Sequence, residues 1–79
     1  MTKGEWRVGI DFNPSGDDMV GQIKRRAADL IDMIDKISSD RESDLGNERG
    51  RLKALAQTAI EDGAMWAVKA ATKQEAPSQ

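Results

Sequence analysis

The segment "LKALAQTAIEDGAMWAVKAAT", Leu52 to Thr72, decides how the chain folds, because apolar and small residues recur in it at alternating spacings of four and three. This spacing is typical of a helix that packs lengthwise against a partner helix. The seam consists of Leu52, Ala56, Ala59, Gly63, Trp66 and Ala70. Because small residues dominate it, a partner helix can approach closely. We predict a helix, helix two, over residues 47–72.

An upstream seam supplies the partner. Apolar residues recur in it at alternating spacings of three and four without exception: Val20, Ile23, Ala27, Leu30, Ile34 and Ile37. Pro14 and the capping residue Ser15, with Asp18 three residues later, predict the start of helix one, over residues 16–38. A polar, glycine-containing turn follows over residues 39–46. If the two seams face each other, the fold is all-α, a two-helix antiparallel hairpin.

The ends of the chain carry weaker signals. In "WRVGIDF", apolar residues alternate with Arg7, Gly9 and Asp11, which predicts an extended N-terminal arm and cap over residues 1–15. No second strand pattern follows, so the arm would lie across the helices or pair with another copy. Residues 73–79 are predicted to be a frayed tail, and residues 1–79 a single helical-hairpin domain.

Composition excludes several kinds of function. The chain has 79 residues, no cysteine, no histidine and a net charge of −2. It therefore has no disulfide, no zinc-finger ligands and no general attraction to nucleic acid or anionic membranes. Asp17 and Asp18 fit helix capping better than metal binding. We expect no catalytic residue, metal or cofactor, no membrane or DNA partner, and a cytoplasmic protein that is not an enzyme.

The end of helix two predicts self-association. Its last three turns are apolar almost all round, and Met65, Trp66 and Val68 are the largest residues there. A single partner helix covers only one side of such a helix. We expect other subunits to cover the rest, which predicts a homo-oligomer with these ends clustered centrally. A loosely exposed, alanine-rich end is the alternative.

Three basic residues are candidates for anion binding. Lys24 and Arg26 flank the helix-one seam on opposite sides, so each can reach a groove between helices, although such side chains also lie beside seams without binding anything. Lys69 is the sole charge among apolar residues. It needs a partner: Glu61, Asp62 or the start of a neighbour's helix one, or an anionic ligand on a symmetry axis.

An aromatic ring completes a pattern suited to nucleotides. Phe12 precedes the predicted N-terminus of helix one, where free backbone amides favour phosphate. Together with Lys24, the ring could stack on a base while donors hold its phosphates.

The quoted helix resembles the C-terminal helix of the small phage-encoded cyclic-nucleotide sponges known as anti-CBASS protein two, which share a hairpin domain with a Thoeris anti-defence protein. The matching features are Ala56-x-Thr58-x-Ile60, Gly63-x-Met65 and Lys69-Ala70. Helix one matches through Ile23-Lys24 and the preceding aromatic.

The resemblance implies a homohexamer that sequesters cyclic nucleotides in pockets between protomers without cleaving them. It implies that Phe12, beside Asn13, and Lys24 bind cyclic dinucleotides, and that Lys69 contacts cyclic trinucleotides on a three-fold axis. Arg26 stands where a hydroxyl-bearing residue is expected, and Lys69 stands where arginine is more common.

Taken with the aromatic ring and the basic residues, the resemblance implies a phage anti-immune sponge for cyclic di- or trinucleotides, acting in the host bacterial cytoplasm. The alternatives are a Thoeris-type sponge for cyclic ADP-ribose species, or a structural or adaptor hairpin that binds protein or RNA. A DNA-binding regulator is a third choice, disfavoured by the net charge.

Overall fold

The computed structural model describes residues 1–77 and contains three helices. They are α1 (Lys3–Val8), α2 (Asp18–Asp35) and α3 (Asp44–Ala71). The two long helices run antiparallel and are joined by a short turn, while α1 lies mainly against α2. No β-strand occurs within residues 1–77. The predicted all-α helical hairpin is therefore confirmed.

The predicted extended arm is wrong, because residues 3–8 form α1. A capping box starts this helix: the Thr2 hydroxyl accepts from the Glu5 amide at 3.1 Å, and the Glu5 carboxylate accepts from the Thr2 amide at 2.8 Å. Gly9 ends it in the left-handed conformation at φ 65°, and the Ile10 amide donates back to the Glu5 carbonyl. These local capping interactions outweigh the two-residue alternation of apolar side chains.

The predicted bounds of the long helices also change. Asp17, not Ser15, caps α2, since its carboxylate accepts from the Met19 amide at 2.9 Å. Helix α2 ends at Asp35 rather than at residue 38, and α3 begins at Asp44 rather than at residue 47. After α3, residues 73–77 have no regular secondary structure, and the last two residues of the predicted tail lie outside the described part of the chain.

The turn between α2 and α3 is organised by two side chains. The Asp40 carboxylate accepts from the amides of Glu42 and Ser43, both at 2.9 Å, which lowers the pKa of Asp40. The Ser43 hydroxyl then caps α3 by accepting from the Gly46 amide at 2.9 Å. A Cβ atom at Gly46 would lie 2.5 Å from Asp40, so this close approach requires glycine.

The interior of the chain is small and partly polar. Within residues 1–77, the only buried apolar side chains are those of Val20, Ala28 and Ile31. Gln57 is 2% exposed, donates to the Ile31 carbonyl at 3.0 Å and accepts from the Lys3 ammonium at 3.1 Å. Its hydrogen bonds offset the cost of burying the amide.

The predicted seams do not face each other. On α2 the buried positions are Val20, Lys24, Ala28 and Ile31, while two members of the predicted seam, Leu30 and Ile37, are exposed. The shift arises because α1 covers the Ala28 side of α2. On α3 the face turned inward is centred on Gln57, with Lys53, Ile60, Ala64 and Ala67 half-buried beside it, so most of the predicted seam is exposed.

The described chain is a single layer of helices. Its extents are 59 × 28 × 13 Å, and the shortest is close to the diameter of one helix with its side chains. The radius of gyration is 15.8 Å, whereas a compact chain of this length would have about 12 Å. The accessible surface is 6070 Å², against about 4,700 Å² for a typical folded monomer of this mass. Both faces of the layer thus remain uncovered.

Within residues 1–77, none of the helices combines the length and the apolar character that crossing a membrane requires.

Gly4 marks a close approach of α1 to α2. A Cβ atom added there would lie 2.1 Å from the Ala28 carbonyl oxygen, whereas one added at Gly21 would have no neighbour within 4 Å. Gly4→Ala should therefore destabilise the fold by about 1–3 kcal/mol through overpacking. Gly21→Ala should stabilise it by up to about 1 kcal/mol through helix propensity. Urea unfolding followed by circular dichroism measures both, and equal effects would contradict the close approach.

Glu5 predicts a dependence of stability on pH. Its hydrogen bond from Arg25, and secondarily that from Thr2, lower the pKa of Glu5 from 4.5 to about 2. The stabilisation is present above the unfolded pKa and is lost as pH falls through the folded one. Glu5→Gln keeps an acceptor for the capping box but loses the ion pair. Its melting temperature should be below that of the native protein at pH 7, and the gap should close below about pH 2. A gap that stays constant in melts across pH would contradict this.

Candidate functional site

Among residues 1–77, Lys24 is the one charged residue that the fold buries, and it is only 7% exposed. Its ammonium donates to the Gly9 carbonyl at 2.9 Å and to the Phe12 carbonyl. Among residues 1–77, no carboxylate lies within ion-pair distance of it. Burying an ammonium without a counter-charge is costly. The group therefore offers a strong local attraction for an anion, and one of its three donors is not used by these two carbonyls.

Phe12 lies beside this ammonium. The Lys24 nitrogen is 5.4 Å from the centre of the Phe12 ring, within the range of a cation–π contact. The ring is 71% exposed, so its faces are accessible. The loop that carries it is fixed by Asn13, whose side-chain amide donates to the Asp17 carbonyl at 2.9 Å and whose side-chain oxygen accepts from the Ser15 hydroxyl at 2.8 Å.

Two shallow pockets meet at Phe12, Lys24 and Val68. One has a volume of about 210 Å³ and is otherwise lined by Asn13, Pro14, Ser15, Val20 and Thr72. The other has a volume of about 330 Å³ and is otherwise lined by Arg7, Val8, Glu61, Ala64 and Met65. Ligand pockets usually enclose about 300–1,000 Å³. The smaller pocket is therefore below this range and the larger one just inside it, and both open to the surface of a single chain.

The structure brings three predicted site residues together and separates two. Phe12, Asn13 and Lys24 line the smaller pocket. Arg26 is exposed on α2 and lines a polar groove with Asp18, Gly21, Gln22, Arg25 and Asp29 instead. Lys69 is exposed on α3, with its nitrogen 5.5 Å from the centre of the Trp66 ring. Within one chain, neither Arg26 nor Lys69 lines either pocket at Phe12.

The expected phosphate site at the start of α2 is occupied by the chain itself. The Asp17 carboxylate accepts from the Met19 amide, and Asp18 adds a further negative charge in the first turn. These carboxylates complement the positive end of the helix dipole and oppose a second anion there. Lys24 is left as the donor that could attract an anion beside Phe12.

An ion pair between Arg7 and Glu61, which the sequence did not predict, lines the larger pocket. The Arg7 guanidinium donates to the Glu61 carboxylate at 2.6 Å and to the Thr58 hydroxyl at 3.3 Å. The sequence presents Glu61 only as a possible partner of Lys69, and it predicts an extended arm where α1 lies. Once α1 is known to be a helix, the basic residue in its last turn becomes a recognisable partner for α3.

The arrangement defines a class of protein: an all-helical hairpin with an exposed aromatic ring beside a buried lysine. The model of the family described as "Acb2/Tad1, hairpin domain" matches residues 5–72. The chain therefore belongs to this family, that of anti-CBASS protein 2 and the Thoeris anti-defence proteins. It is known for anti-defence and not as an enzyme family. No curated protein and no solved structure gives a significant match to the chain.

The role of Lys24 in the fold can be measured directly. Lys24→Met keeps a long side chain but removes the donor for the Gly9 and Phe12 carbonyls. Leaving these partly buried acceptors without their donor should lower the free energy of unfolding by about 1–3 kcal/mol. Arg26→Met, on the exposed side of α2, is the matched control and should change it by less than about 0.5 kcal/mol. Equal losses in chemical denaturation would show that the buried ammonium contributes nothing specific.

Proposed function

We propose that the protein is a phage anti-immune sponge, which binds cyclic oligonucleotide second messengers and sequesters them without cleavage. The observation that carries this proposal is the buried Lys24 ammonium, without a carboxylate partner among the described residues, 5.4 Å from the exposed Phe12 ring. A cyclic nucleotide supplies what the two groups lack: phosphate for the ammonium and a base for the ring. Membership of an anti-defence family supports the same function.

The proposal includes a homo-oligomer, for which we favour a hexamer. The surface exceeds that of a typical folded monomer by roughly 1,300 Å², and a standard interface buries about 800 Å² on each partner. Within residues 1–77, twelve large apolar residues are exposed, among them Trp6, Phe12, Met65 and Trp66. A second copy placed against the pockets at Phe12 would deepen them and exclude water, which strengthens the attraction between phosphate and ammonium.

Sequestration needs tight binding and no chemistry. Nanomolar affinity corresponds to about −12 kcal/mol, and an enclosed ligand with two phosphates and two bases offers enough contacts for it. Phe12 and Lys24 would carry the binding, with Asn13 holding the loop. We assign neither Arg26 nor Lys69 to this pocket. The site of action would be the cytoplasm of the host bacterium, where such messengers are made.

The ligand class is tested by thermal shift and calorimetry with cyclic dinucleotides, cyclic trinucleotides and cyclic ADP-ribose isomers. We expect stabilisation by cyclic dinucleotides, since binding to the folded state raises the melting temperature. The ligand should be recovered intact after denaturation. Stabilisation by cyclic ADP-ribose isomers alone would favour the Thoeris-type alternative. If no compound stabilises the protein at about 100 μM, the proposed sponge function is rejected.

Phe12 allows a test that leaves the fold intact. Phe12→Ala removes a ring that is 71% exposed, so the stability of the free protein should hardly change. Affinity for the ligand should fall by about 10- to 100-fold, the cost of losing one stacked base. Trp6→Ala is the matched control, because Trp6 is 74% exposed and lines neither pocket at Phe12. Equal loss of affinity in the two variants, measured by calorimetry, would contradict the assigned role of Phe12.

A further inference from the structure

We infer that α3 pairs with α3 of a second copy of this chain in antiparallel orientation, with Trp66 of each chain over Gly63 of the other and Asp62 of each chain facing Lys69 of the other. The inference rests on the oligomer in the proposed function and deepens it, because it names the surface, the orientation and the register. It is independent of any ligand.

The surface is the seam of α3 that the hairpin leaves uncovered. Leu52 and Trp66 are 51% and 63% exposed, and Ala59, Gly63 and Ala70 between and beyond them are exposed as well. Small residues at heptad spacing, with one large residue at each end of a run of three, form a surface that another helix can approach closely. One flank of the seam, at Ile60 and Ala67, is half-buried against the rest of the chain. A second copy must therefore approach from the seam itself and from its other flank.

Shape selects the centre of the pairing. Gly63 lies in the middle of a helix, where glycine costs up to about 1 kcal/mol relative to alanine. A Cβ atom there would meet nothing within 4 Å, so contacts within the chain do not require glycine. Trp66, one position further along the seam, is the largest side chain in it. In an antiparallel pair centred between these residues, each indole lies over the space left by the partner's Gly63. Ala59 then faces the partner's Ala70.

Charge selects the same register. Asp62 and Lys69 are both exposed and lie two turns apart on the open flank of the seam. Within residues 1–77, neither forms an ion pair. In the proposed register, Asp62 faces the partner's Lys69 twice by symmetry. A shift by one heptad places Asp62 against the partner's Asp62, or Lys69 against the partner's Lys69, and like charges in these flanking positions repel.

A parallel pair would provide neither the fit of Trp66 over Gly63 nor the pairing of Asp62 with Lys69. It would stack Trp66 against the partner's Trp66 and leave Gly63 facing the partner's Gly63. Asp62 would lie beside the partner's Ala67, without a counter-charge. The antiparallel pair therefore accounts for the glycine, the tryptophan and both unpaired charges at once.

Orientation and register are tested by cysteine cross-linking, for which the chain is suited because it contains no native cysteine. A mixture of Ala59→Cys and Ala70→Cys chains should form a disulfide-linked heterodimer on mild oxidation. Each variant alone should cross-link at least tenfold less, because identical positions are about 16 Å apart in the antiparallel pair, beyond the reach of about 7 Å for a disulfide. Predominant linkage of Ala59→Cys chains to one another would overturn the proposal.

The charges are tested by reversal. Asp62→Lys and Lys69→Asp should each weaken association on the order of tenfold, since two attractive pairs become repulsive. Mixing the two variants should restore association, because each chain then carries the charges that the other lacks. Sedimentation measures association, and circular dichroism checks that each variant is helical. Failure of the mixture to recover, with both variants folded, would overturn the proposal.

The outcomes separate this inference from the proposed function. An oligomer that binds cyclic nucleotides but does not link Ala59→Cys to Ala70→Cys overturns the α3 pairing alone. Cross-linking without any ligand binding supports the pairing and rejects the sponge. If Lys69→Ala abolishes binding of a cyclic trinucleotide while association is unchanged, Lys69 is a ligand contact, and its pairing with the partner's Asp62 is wrong.

Discussion

The hydrogen bonds of one buried ammonium connect the fold to its candidate site. Lys24 reaches from α2 to the carbonyls of Gly9 and Phe12, just beyond the end of α1. The same group therefore holds the loop that presents the Phe12 ring and provides the positive charge beside it. Because these acceptors are carbonyls and not carboxylates, the charge is solvated but not neutralised. A structural contact of this kind leaves a positive charge without a counter-charge, which an anionic ligand can supply.

The single-layer shape explains why the interior depends on such polar groups. Three helices in a layer 13 Å thick have little volume that is remote from solvent. Long polar side chains fill it instead: Lys24 and Gln57 are buried, and Lys53 caps the end of α2 by donating to the carbonyls of Asp35 and Ile37. Lys3 joins this network, and its hydrogen bond holds the pKa of Asp35 below its ordinary value. The layer is held together by specific hydrogen bonds as much as by apolar contact.

Helical content and the proximity of Phe12 to Lys24 could be predicted from the sequence, because heptad spacing and a cap are local signals. The identity of the buried faces could not. It depends on α1, whose start is encoded by Thr2 and Glu5 but was obscured by the alternation of apolar residues after Glu5. Once α1 covers the Ala28 side, the inward face of α2 rotates by one residue. The sites of Arg26 and Lys69 were also unpredictable, since a single chain gives neither of them a place in the pocket at Phe12.

The most regular apolar pattern in the chain is the one that the chain itself does not bury. Within the hairpin, α3 turns a mixed face toward α2, centred on Gln57, and leaves Leu52, Gly63 and Trp66 outward. Val68, which lines both pockets at Phe12, lies on the same last turns of α3 as Trp66. Because Val68 is two residues from Trp66, about 200° around the helix, the pockets and the seam lie on opposite sides of α3. A ligand held between two copies at the pockets would therefore use an interface other than the seam, and it would stabilise that interface by the free energy of its own binding.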